Sequence, residues 1–170
     1  MKLLHLLPTV ALWAGPLLAD DEAAKNGSFD KGKFGWDTSP GVRVVEDVVP
    51  GKAPNRLLEF DCHRSERRSA WQRIAVGNRT HSMKVKFRMK AQPDYAGPSP
   101  EAEQFSIRYE RRDGGSTFST RTVPKSPDWT EVAFDLTDFG GSQSIIFSIE
   151  LHPAQGHVWI DDVSIRRIDG

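Results

Sequence analysis

Apolar and polar residues alternate with a period of two along most of this chain, the pattern of strands with one buried face. In SMKVKFRMK, Met83, Val85, Phe87 and Met89 share one side, while Lys84, Lys86, Arg88 and Lys90 share the other. FSIRYER repeats the device with Phe105, Ile107 and Tyr109. WTEVAFDL does so with Val132, Phe134 and Leu136, and SIIFSIEL with Ile145, Phe147, Ile149 and Leu151. Shorter stretches of the same kind are VRVVED, NRLLEFDC, AWQRIAV and TFSTRTV. The clusters TSPG, PGKAPN, DGGS, PKSPD and FGGSQ separate them, and such clusters favour turns. Roughly nine or ten short strands so punctuated predict an all-β, antiparallel β-sandwich or barrel. Helical periodicity is nearly absent, no internal repeat stands out, and the proline-rich stretch from Gln92 to Glu103 reads as a surface loop.

One strand breaks the rule. GHVWIDDVSIRRI carries adjacent aspartates, Asp161 and Asp162, between apolar Ile160 and Val163. Ile160 and Val163 cannot share a face of a regular strand, although both have core character. A bulge at the aspartates would restore the inward phase and re-aim the carboxylates.

The opening MKLLHLLPTVALWAGPLLAD has a lysine, an apolar run and small residues at Leu18-Ala19, the layout of a secretory signal peptide. Cleavage is expected after Ala19, giving a leader over 1–19, one domain of about 150 residues over 24–168, and a secreted, periplasmic or extracellular location. No later segment is long and apolar enough to span a membrane as a helix. Lys and Arg total 23, as do Asp and Glu, and this balance argues against a bulk polyanion binder. The single cysteine, Cys62, shares parity with Leu58 and Phe60 and reads as a small buried hydrophobe, so no disulfide framework is expected.

Signatures of catalysis are sparse. His63, His81, His152 and His157 show neither HExxH nor His-x-His spacing, and no GxSxG motif occurs. Neither a phosphate loop nor an RNA-binding aromatic signature is present, so nucleic acid is not an expected partner.

The chain ends carry a resemblance. NGSFDKGKFGW, Asn26 to Trp36, stands at one end and VWIDDVSI, Val158 to Ile165, at the other, with AWQRIAV, SMKVKFRMKA and PDWTEVAFDL between them. This order resembles carbohydrate-binding modules of families 4, 9, 16 and 22, which share a galactose-binding-like jelly roll. The departure is Asp30 where a glutamate is commoner. The resemblance implies a non-catalytic module that binds a polysaccharide or glycan. It also implies a structural calcium site joining the first and last strands, with Asp30 and Asp162 as carboxylate ligands, Asp161 as a further candidate, and carbonyls near Ser28 and Asp61 completing the shell. The alternative is that Asp161 and Asp162 only accept hydrogen bonds from backbone and from Arg166 or Arg167.

Sugar recognition needs flat apolar rings and planar hydrogen-bonding groups. Gln72, Arg108 and Trp159 fit, with Trp71, Arg73, Tyr95, Tyr109 and Trp129 as further candidates, most of which have an equally simple role in the core. The family pattern favours Gln72 over Trp71 for the groove, since the two point to opposite faces. Lys86 and Arg88, with Lys84 and Lys90, would suit an acidic glycan if their strand lies centrally, or would be a solvated row if it lies at an edge. The rival reading is a stand-alone structural or adhesion domain that keeps the fold without the sugar site.

Overall fold

The computed structural model describes residues 22–169 apart from 49, 52 and 64. The expected leader lies outside the described residues. Ten strands follow in order: β1 (Asp37–Thr38), β2 (Val42–Asp47), β3 (Asn55–Cys62), β4 (Arg68–Ala75), β5 (Thr80–Ala91), β6 (Gln104–Arg111), β7 (Ser116–Thr122), β8 (Thr130–Leu136), β9 (Ser144–Leu151) and β10 (Gly156–Asp169). They form two antiparallel five-stranded sheets, ordered β1-β4-β9-β6-β7 and β2-β3-β10-β5-β8. The protein is a β-sandwich jelly roll: the alternation predicts a sandwich or barrel, and the resemblance implies the jelly roll.

Parity in the sequence becomes burial in the structure. Met83, Val85, Phe87 and Met89 of β5 are at most 1 % exposed, and the apolar rows of β6, β8 and β9 join them in one core. Phe87, Phe105 and Phe134 meet across the two sheets with ring centroids 6.0–6.4 Å apart. Each such side chain contributes about 1.5–3 kcal/mol by leaving water. Tyr109 lies in the same interior and donates its hydroxyl proton to the Thr137 carbonyl at the rim. TFSTRTV departs from the pattern: β7 is the edge strand of its sheet and all seven of its residues are exposed.

The bulge predicted in β10 is present. Its pairing with β5 shifts between Asp161 and Ser164, and Asp162 takes a left-handed φ of 52°. Val158, Ile160, Val163 and Ile165 consequently all reach the core. The first described residues lie along the same strand. Ala23 N donates to Ile165 O at 2.7 Å, and Val163 N donates to Gly27 O at 3.0 Å. Trp36 sits beneath this opening turn against Phe29 and Phe147, its indole N–H donating to Lys25 O at 3.0 Å.

Gly27 is where the two ends come closest. A Cβ added there would lie 1.8 Å from the Val163 carbonyl oxygen, a main-chain atom that cannot swing aside. Gly27→Ala should therefore destabilise the domain by about 1–3 kcal/mol, read as a lower midpoint in urea unfolding with an unchanged slope.

Candidate functional site

Each sheet turns one face to solvent, and the two faces differ in chemistry. On the first, antiparallel pairing sets side chains in transverse rows. Trp71 of β4 pairs with Ser148 of β9, which pairs with Arg108 of β6, which pairs with Phe118 of β7. This row crosses four strands, about 14 Å at the usual spacing. An aromatic residue stands at each end: Trp71 is half-buried and Phe118 is 71 % exposed.

A parallel row runs through Ser69, Glu150, Ser106 and Thr120. Hollows of about 300 and 220 Å³ lie over these rows and share Glu150 in their walls. Arg108 is held between carboxylates, in contact with Glu110 and 3.7 Å from Glu150. Arg67 approaches Glu150 from the other side at 3.9 Å. The floor thus offers two guanidinium groups, two carboxylates and a line of hydroxyls, with the opposite charges balanced.

The second face is a cationic and aromatic ridge. Lys90 Nζ lies over Trp129 at 4.8 Å and over Trp159 at 5.3 Å, and Arg88 covers Trp129 at 5.2 Å. His157 stacks on Trp159, whose indole N–H donates to Glu59 at 2.9 Å. The β5 cations have acidic neighbours: Lys86 pairs with Glu131 at 3.1 Å, Lys90 with Asp47 at 3.6 Å, and Arg88 with Asp161 and Asp162 at 2.9 and 2.7 Å. β5 lies inside its sheet rather than at an edge. Its lysines therefore serve as cross-strand partners and not as edge guards.

The sequence-predicted residues are thus divided between surfaces. Arg108 stands on the first face, and Trp159, Lys86 and Arg88 on the second. Gln72 lies on neither: it is 1 % exposed, points inward, and its Oε1 accepts from Lys25 N at 2.9 Å. The expectation for it is corrected by the phase of β4, which puts its half-buried neighbour Trp71 outward. Tyr95, also 1 % exposed, belongs to the core. Trp129 lies under Arg88 and Lys90 and does not close the core. Phe118 is not among the sequence candidates, because the alternation in TFSTRTV does not show that β7 is an edge strand with its phenylalanine in solvent.

The calcium ligands expected from the resemblance do not gather. Asp61 pairs with His157, four residues from Asp161 along the ladder and so about 13 Å away, and its carbonyl accepts from Arg68 Nε at 2.9 Å. The Asp30 carboxylate accepts from the Ser28 hydroxyl at 2.8 Å. Among the described residues no three acidic, histidine or cysteine groups come together where a metal could sit. Around Asp161 the donors are nitrogen: Asn55 Nδ2 at 2.8 Å, Arg88 Nη2 at 2.9 Å and the Asp162 amide at 2.8 Å. These N–H groups occupy the Asp161 oxygens, and they bring no further oxygen ligands of the kind a hard cation takes, so the surroundings of Asp161 do not fit calcium.

No family model matches the chain, and no curated protein matches it. Solved structures do. A carbohydrate-binding module of family 61 in complex with β-1,4-galactotriose superposes with a TM-score of 0.64 at 15 % identity, covering 86 % of this chain and 99 % of that one. The CBM22-1 xylan-binding domain of Xyn10C from Paenibacillus barcinonensis gives 0.61 at 16 %, covering 89 % and 97 %. The enzymatically active domain of tailspike protein 4 from bacteriophage CBA120 gives 0.63 at 16 %, covering 87 % of this chain but 22 % of that one. At these identities the likeness is one of fold.

Two groups could suggest nucleophilic chemistry, Ser106 and Cys62. Ser106, 6 % exposed, shares its hydroxyl between Thr120 at 2.9 Å and His152 at 3.1 Å. Cys62 is 5 % exposed, and burial pushes its thiol up from 9.0 to about 12 against the opposing pull of Arg68. The folded thiol ionises later than the unfolded one, so its contribution to stability is complete below pH 9 and is lost as pH rises toward 12. Native protein at pH 8–9 should accordingly resist iodoacetamide, and denatured protein should react at one site, as read by intact mass.

Proposed function

We propose that this chain is a non-catalytic glycan-binding module of an exported protein, and that it holds an extended oligosaccharide across the outer face of the β4-β9-β6-β7 sheet. The row Trp71–Ser148–Arg108–Phe118 carries the reading. Its two rings offer flat apolar surface to the C–H faces of pyranose units, and the groups between them can exchange hydrogen bonds with hydroxyls. The likeness in fold to modules described in complex with galactotriose and as xylan-binding supports the same conclusion. Export rests on the leader-like segment 1–19.

The charge balance of the floor points to a neutral polysaccharide. Glu110 and Glu150 would repel a uronate, and Arg108 is already engaged with both. The β5 cations on the opposite sheet would be the anchor for an acidic glycan, but Lys86, Arg88 and Lys90 each have a carboxylate partner. A further hollow of about 490 Å³ between the 76–81 and 138–142 segments presents Asn78, His81 and Asp138, with no tryptophan or exposed phenylalanine for a sugar ring.

Calorimetric titration with soluble galactan, xylan, mixed-linkage glucan and polygalacturonate tests this reading. Binding to a neutral polysaccharide should fall about tenfold or more in Trp71→Ala, fall in Glu150→Gln, stay unchanged in Lys86→Ala, and survive added salt because no net charge drives it. Binding of polygalacturonate alone, abolished by Lys86→Ala, would move the site to the other sheet. Binding of none would favour the structural or adhesion role.

A further inference from the structure

The Asp161 carboxylate is 1 % exposed, although it lies on the strand that carries the whole second sheet. A carboxylate removed from water is costly unless opposite charge and hydrogen bonds meet it. Here its Oδ1 accepts from the Asp162 amide at 2.8 Å, and its Oδ2 accepts from Asn55 Nδ2 at 2.8 Å and Arg88 Nη2 at 2.9 Å. The same Arg88 nitrogen lies 2.7 Å from Asp162 Oδ2. Arg88 stands opposite Asp161 in the β5–β10 register, and its guanidinium lies over the Trp129 ring at 5.2 Å.

One cation thus spans both carboxylates of the bulge, and Asn55 brings in β3. The next amide after the aspartates, that of Val163, donates to Gly27 in the opening turn, so the knot also fixes the place where the two ends of the domain meet. A divalent metal joining first and last strands would have this task. We propose that the Arg88 guanidinium is the permanent counter-cation of the Asp161–Asp162 pair, doing from within the chain what a structural calcium would do, so that the ends close without a metal. The left-handed φ at Asp162 aims both carboxylates at a single nitrogen. Arg88 is thereby committed to the fold and is not free for a ligand.

Thermal unfolding of the purified chain in excess calcium and in excess EDTA tests the proposal, with the wild type, Arg88→Met, Arg88→Lys and Arg88→Met/Asp161→Asn compared. The wild-type midpoint should be the same in both media to about 1 °C, since only a metal bound by the native state would raise it. Arg88→Met should lower the midpoint by about 10 °C by orphaning a buried charge. Neutralising that charge with Asp161→Asn in the same chain should recover part of the loss. Arg88→Lys, which keeps the charge but loses the planar fork, should fall between. A wild-type midpoint several degrees higher in calcium than in EDTA would overturn the proposal, and so would an Arg88→Met midpoint equal to that of the wild type. The wild-type comparison decides even if Arg88→Met fails to fold.

Discussion

In a two-sheet sandwich every strand commits alternate side chains to one shared dry interior, and the rest of this molecule follows from that commitment. The interior holds Phe87, Phe105, Phe134 and Phe147 with the aliphatic rows of β3, β5, β9 and β10, all close-packed and nearly all apolar. A slip of one residue in any of these strands would exchange its faces and expose the whole row. Register is therefore strongly fixed, and with it the identity of every outward side chain. The groove floor exists because the inward positions next to it permit nothing else.

The β10 bulge shows how the same constraint is met where a charge enters the strand. Val158, Ile160, Val163 and Ile165 all face the core only because Asp162 steps out of the β conformation. Asp161, opposite Arg88 on the outer face, is nevertheless covered from water, and its carboxylate must then be answered by Arg88 and Asn55. Packing comes first and the electrostatics follows from it. Burying a hydrophobic row on both sides of the aspartates repays the cost of one paired buried charge.

Period-two alternation made the strands and the core readable directly, and the conflict of phase between Ile160 and Val163 made the bulge readable too. Sheet membership was not readable, because hydrogen-bonded neighbours in a jelly roll are far apart in sequence. For that reason Arg108 and Lys86, similar in the sequence, stand on opposite faces, and the sequence does not single out Phe118. Gln72 was misplaced by family pattern, where its own phase relative to Ala70 and Ile74 already pointed inward. The partners of the two aspartates were hidden for the same reason: Asn55 and Arg88 lie 106 and 73 positions from Asp161.

The order of strands has a consequence for how the chain acquires its shape. β9 and β10, the last two strands, occupy the middle place in their respective sheets. Before they are made, β4 and β6 lack the strand that joins them, and so do β3 and β5. The first eight strands can form only the pairs β1-β4, β6-β7, β2-β3 and β5-β8, each with open edges, and neither layer can assemble around a gap at its centre. Folding is held back until the final stretch is available, and then requires contacts across most of the chain at once, which makes it slow for a domain of this size. The strand that completes each layer is thus the one that assembles it.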